Sequence, residues 1–157
     1  MTNSTTADPA AEFVDASVLV YAFDPSADSK KTVAERLLKR LWGTGGGCLS
    51  VQVLQEFFVT VTRKVAQPMS VDDAAERVRE FTAWKVFAPT GQDVLAAIAL
   101  QKAAQLSFGD AMVVHAAAEA GCELLWTEDL HDGQVIGGVT VRDPFLQHDG
   151  TAATGDV

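Results

Sequence analysis

Acidic side chains stand at several places where ordinary packing does not need them. Asp15 follows Phe13-Val14 and precedes the apolar run Ala16 to Val20, so it falls at the carboxyl end of an expected first strand. An ionised group buried there without a partner is costly. Asp110 lies three residues after Ser107 and shares a helical face with Val113, Val114 and Ala117, which turns it toward the packed side. Asp129, with Glu128 beside it, comes directly after Leu124-Leu-Trp126-Thr127, the end of another expected strand. Glu56 sits early in a helix, on the side away from its Leu54, Phe57, Phe58 and Val61 stripe. Each has a local explanation taken singly: Asp15 as a helix N-cap, Asp110 in a capping box, Asp129 in a turn, Glu56 on the surface. What they share is an address beyond the carboxyl ends of strands, where open α/β sheets bind ligands. Carboxylates within about 4–6 Å raise one another's pKa, so such a cluster calls for a cation at neutral pH. With no Cys or His companions the donors are all oxygen, which selects Mg²⁺ or Mn²⁺ over Zn²⁺. A carboxylate-lined, water-containing pocket of that kind suits phosphodiester hydrolysis.

The elements that must position these acids can be read from hydrophobic spacing. A strand at Phe13-Val14 leads into a short helix, and Val33, Leu37, Leu38 and Leu41 mark a helix over 28–42. Gly43 to Gly47 reads as a flexible connector, since no Gly-Lys-Ser/Thr follows it and it precedes a strand, Cys48-Leu49. The Leu54 to Val65 stripe is a helix that stops before Pro68, and Ser70 starts another, with Asp73 in the capping-box position, through Phe81. Trp84 to Ala88 is a brief strand, Pro89-Thr-Gly91 a turn, and Val94, Leu95, Ile98 and Leu100 a helix. A small-residue helix from Ala111 to Ala120 ends at Gly121, followed by strands at Glu123 to Trp126 and Val139 to Val141. Strands alternating with helices indicate a mostly parallel sheet with helices on both faces. His115, Phe57, Phe58, Trp42 and Phe81 are expected to be packed residues. The domain spans roughly 12–146, with loose polar tails at 1–11 and 147–157.

Composition narrows the function classes. At 157 residues, 48% hydrophobic and 21% charged, the chain is long enough for one self-sufficient core, so a metal would serve chemistry and not folding. Cys48 and Cys122 lie in apolar stretches without metal-ligand companions, which suits buried thiols in the cytoplasm. The first residues show no basic n-region or apolar h-region, and the longest apolar run, Val94 to Leu100, is too short to span a bilayer, so a protein neither exported nor membrane-embedded is expected. A net charge of −9 is the wrong sign for coating nucleic acid nonspecifically. Five of the twelve cations, Lys30, Lys31, Arg36, Lys39 and Arg40, nevertheless cluster within eleven residues, as a solvated helix face or as a local track for a substrate strand.

Four segments, Phe13-Val-Asp15-Ala-Ser17-Val-Leu-Val-Tyr21-Ala, Gln55-Glu56-Phe57, Ser107-Phe-Gly-Asp110-Ala and Leu125-Trp-Thr127-Glu-Asp129-Leu, resemble in order and spacing the motifs of PIN-domain nucleases, especially VapC-type toxins. The resemblance implies a single-domain three-layer α/β/α fold with a parallel sheet in order 3-2-1-4-5. It implies a Mg²⁺-dependent endoribonuclease, a homodimer that a cognate antitoxin holds inactive. Asp15, Glu56, Asp110 and Asp129 take the four acidic positions. Asp15 and Asp110 are expected to bind metal directly, Asp129 through water or a second ion, and Glu56 to orient the attacking water. Asp129 is preferred to Glu128, and Ser17 and Thr127 fall where the family often has a small hydroxyl, as candidate substrate contacts. A haloacid-dehalogenase-like phosphatase would want an Asp where Ser17 stands, and a receiver domain would want an acidic pair in place of Asp15-Ala16. A degenerate PIN fold acting only as a protein-binding module is the remaining alternative, and the presence of all four acids argues against it.

Overall fold

A computed structural model describes residues 9–146. The expected tails lie outside the described residues, apart from positions 9–11, where Ala11 already packs against the core. Strand β1 (Glu12–Val14) ends at Asp15, whose carboxylate accepts from the Ala16 N–H and starts α1 (Ala16–Ala22). A 3-10 turn at Pro25–Ala27 leads to α2 (Ser29–Thr44), which buries Leu37, Leu38 and Leu41. Next come β2 (Gly47–Ser50) and α3 (Val51–Arg63), capped by the Ser50 hydroxyl and burying Val53, Phe57 and Val61 one turn apart. Then follow α4 (Val71–Phe81), β3 (Lys85–Phe87), α5 (Gly91–Ala104), α6 (Phe108–Glu119) and β4 (Leu124–Trp126). A hairpin of β5 (Val135–Ile136) and β6 (Val139–Arg142) closes the sheet.

The sheet runs β3-β2-β1-β4-β6-β5, parallel except for β5. The parallel strands keep the expected 3-2-1-4-5 order with β6 in fifth place. The difference is β5, folded back onto β6 by Gly137-Gly138 at φ +57° and +85°. Positive φ at both turn residues matches the twist of a tight hairpin. Because β1, β2 and β3 step one way across the sheet and the chain then returns to β4, right-handed crossovers put α1–α4 on one face and α5–α6 on the other. Helix contacts follow that division, with α1 against α2 and α3, α3 against α4, and α5 against α6.

Two packing expectations need correction. The segment Gly43–Gly47 is no flexible connector: α2 runs into it, Gly45 ends the helix at φ +78°, and a Cβ on Gly47 would meet the Trp84 ring at 2.6 Å. Trp42 is 44% exposed, stacked on Phe81 and edge-on to Trp84 at the margin of the core, whereas Phe57 and Phe81 are fully inside and Phe58 is half-buried.

Candidate active site: an acidic cleft at the strand ends

The carboxyl ends of β1 and β4 are adjacent, and the Asp15 N–H donates to the Trp126 carbonyl at 3.0 Å, so the residues following both strands are forced together. Asp15 is 5% exposed. One carboxylate oxygen takes the Ala16 N–H at 2.7 Å and the other the Thr127 hydroxyl at 2.8 Å. That same hydroxyl accepts the Asp129 N–H at 3.1 Å, so one Thr127 oxygen fixes Asp15 and the turn carrying Asp129. Asp15 and Asp129 thus face one cleft, each acting on the other's titration. Ser17, Glu56 and Asp129 join Asp15 in lining a cleft of about 740 Å³. Asp110, half-exposed in the first turn of α6 with its N–H on the Ser107 hydroxyl, acts electrostatically on both Glu56 and Asp129.

The electrostatics record this crowding. Burial, then Asp129 and Glu56, push the Asp15 carboxyl up to about 7 against the opposing Thr127 and Ala16 hydrogen bonds. Glu56 is raised by burial, Asp129 and Asp110, with Lys64 pulling the other way. Asp129 is raised by burial, Asp110 and Glu128, with the neighbouring Asp15 carboxyl opposing part of the shift. Asp15, Glu56 and Asp129 thus share one cleft, while Asp110, not among its lining residues, acts on Glu56 and Asp129 through its charge.

Other candidates land elsewhere. Thr127, named as a candidate substrate contact, is 1% exposed, and its hydroxyl donates to Asp15 and accepts from the Asp129 N–H. Glu128 turns aside to accept from the Tyr21 hydroxyl and, at 2.8 Å, from Lys30, leaving Asp129 as the acid of that pair that lines the cleft. The five α2 cations do not form one track. Lys31 pairs with Glu35, and Arg40 grips Glu12 with two bonds of 2.9 and 3.0 Å at the amino end of β1, the far end of the strand from Asp15. Arg36 and Lys39 stand exposed between them. The sequence reading missed Lys64, which lines the cleft, and Asp24, whose carboxylate caps the following turn through Ser26. His115 is packed as expected, bonded to Asp93 at 2.8 Å and edge-on to Phe87.

Residues 13–131 match the PIN domain family. The chain belongs to the PIN-domain family. Among curated protein sequences no significant match occurs. Solved structures similar to this PIN domain include a toxin–antitoxin complex from Klebsiella pneumoniae, with a TM-score of 0.62 at 20% identity over 85% of this chain and 98% of that one. VapC20 from Mycobacterium tuberculosis, described as a sarcin–ricin loop cleaving toxin, gives 0.57 at 22% identity over 76% and 92%. DNA-bound VapBC from Salmonella typhimurium gives 0.61 at 15% over 87% and 99%. At these identities the likeness establishes the fold.

The donor chemistry of this PIN domain suits a hard cation. The cleft acids offer only oxygen, and the Ser17 hydroxyl, which belongs to the cleft wall, is buried without a hydrogen-bond partner among the described residues. No three His, Cys, Asp or Glu side chains among the described residues form a ready-made cage. A site that bound its ion through one or two carboxylates, filling the remaining positions with water and substrate oxygen, is what Mg²⁺ ordinarily uses. No helix among the described residues is long and apolar enough to cross a membrane.

Proposed function

We propose that this PIN domain is a Mg²⁺-dependent endoribonuclease, with Mn²⁺ able to substitute, and the toxin of a toxin–antitoxin pair acting in the cytoplasm. The observation that carries the reading is the convergence of Asp15, Glu56 and Asp129, from three separate segments, on the wall of one cleft, where burial and mutual repulsion raise their pKa values. Asp15, Asp110 and Asp129 would hold the ion, Asp15 and Asp129 from the cleft wall itself. When bound, Mg²⁺ supplies charge neutralisation at the scissile phosphate and lowers the pKa of a water. Thr127 keeps the Asp15 carboxylate oriented, and Glu56 accepts a hydrogen bond from the attacking water. Ser17, whose buried hydroxyl has no hydrogen-bond partner among the described residues, would donate to a phosphate oxygen only after a rotamer change that turns the hydroxyl into the cleft.

Two apolar surfaces support the partners. A furrow between α3 and α4, lined by Leu54, Phe58, Ala75 and Val78, meets the cleft at Gln55 and suits an apolar antitoxin segment. On the opposite face α5 buries only Ala97 and leaves Leu95 at 59% and Ile98 at 41% exposed, a surface for a second copy of the chain. The test is incubation of the purified protein with total RNA in Mg²⁺, with and without EDTA. Fragments with 5′-phosphate ends that vanish with EDTA and with Asp15→Asn are expected. Equal cleavage by Asp15→Asn refutes the site, and no cleavage with intact metal binding leaves a protein-binding module.

A further inference from the structure

We infer that Lys64 anchors the RNA in the acidic cleft by binding a backbone phosphate beyond the one being cleaved. The assignment rests on the ribonuclease reading and adds to it the residue that fixes the position of the strand. Asp15, Asp24, Glu56 and Asp129 all line the cleft, and a polyanion entering between them meets repulsion unless a wall is positive. Among the described residues that line it, Lys64 alone carries a positive charge. The α2 cations nearby are committed, Lys30 to Glu128 and Lys31 to Glu35.

The position of Lys64 follows from helical geometry. Glu56, Thr60 and Lys64 recur every four residues, so α3 lays them in one row along the cleft, and all three line it. Lys64 stands about 12 Å along the helix axis from Glu56, two turns farther along the cleft. Its main chain is fixed, because its N–H closes α3 on the Thr60 carbonyl at 2.8 Å. The exposed ammonium therefore extends from a rigid base, and Val59 and Val65, which line the same cleft, add apolar surface for ribose or base.

A second role for Lys64, as a mere counter-charge to Glu56, makes different predictions, and the experiment separates the two. Binding of a labelled single-stranded RNA of mixed sequence is measured in Mg²⁺ over a range of KCl, with the full chain carrying Asp15→Asn so that the RNA survives. Adding Lys64→Gln is expected to weaken binding about tenfold and to reduce the slope of log K against log salt by about 0.7, the share of one phosphate contact. Lys64→Arg restores both, and Lys102→Gln, which lies outside the cleft lining, matches the parent. With Asp15 intact, Lys64→Gln raises KM far more than it lowers kcat. Unchanged affinity and slope overturn the assignment, and so does a change confined to the Mg²⁺ concentration needed for half-maximal cleavage. If the Asp15→Asn parent binds no RNA and the wild type cleaves none, the ribonuclease reading falls and the anchor falls with it.

Discussion

The Thr127 hydroxyl serves two masters, donating to Asp15 and accepting from the Asp129 N–H. Thr127→Val keeps the shape and removes both bonds, leaving a buried carboxylate oxygen and a backbone N–H unpaired. A loss of about 1–3 kcal/mol is expected in urea denaturation, together with a fall in cleavage of about 10–100-fold, while Thr127→Ser retains both. At Asp15 itself the shift sets a pH dependence. Its folded pKa of about 7 lies above the ordinary 3.8, so the folded state binds more protons between those values. Metal-free protein should therefore gain stability as pH falls from 8 toward 5, and lose it again on the way up. Asp15→Asn can keep both bonds, accepting from Ala16 and donating to Thr127, without the charge. It is expected to melt higher than wild type at pH 8 without metal, with a flatter pH profile, in calorimetry with EDTA. A lower melting point at pH 8 would show that the carboxylate is stabilising there.

At the scale of elements, α2 mixes two functions that its sequence presents as one. Its amino end reaches the cleft rim through Lys30 and Glu128, and its carboxyl half pins β1 through Arg40 and Glu12. Burial alone would raise Glu12, but the Arg40 and Trp126 hydrogen bonds outweigh it and lower its pKa. Arg40→Ala should thus cost about 1–2 kcal/mol of stability, measured by denaturant titration, and leave RNA affinity unchanged. The hairpin β5–β6 shows how a turn adds an element that periodicity does not announce. Gly137-Gly138 was the available signal, and a two-residue strand has too few positions for alternation to register. On α3 the spacing by four puts Thr60 and Lys64 in the Glu56 row, but that this row faces the cleft is decided only by packing.

For the whole molecule, the two faces of the sheet divide the work between the cleft side and the α5–α6 side. The latter leaves Leu95 and Ile98 uncovered because the apolar residues of α5 do not gather on one face and only Ala97 is buried. Replacing Leu95 and Ile98 with Glu is expected to convert a dimer to a monomer in analytical ultracentrifugation, with the melting point changed little. A wild type that sediments as a monomer would remove the homodimer from the proposal.

The sequence by itself determined the α/β class, most elements and the candidate acids, because helix and strand periods and the residues that start and stop them are local properties of the chain. It did not determine which acids meet. Asp15 and Asp129 are brought together by β1–β4 pairing across more than a hundred residues, and no local spacing encodes that distance. The same lateral packing turned Glu128 toward Lys30, closed Thr127 inside, carried Arg40 to the far end of β1 and placed Lys64 on the cleft wall. Side chains are assigned to faces by the local period, but which faces oppose one another is set only when the strands take their order and the core closes.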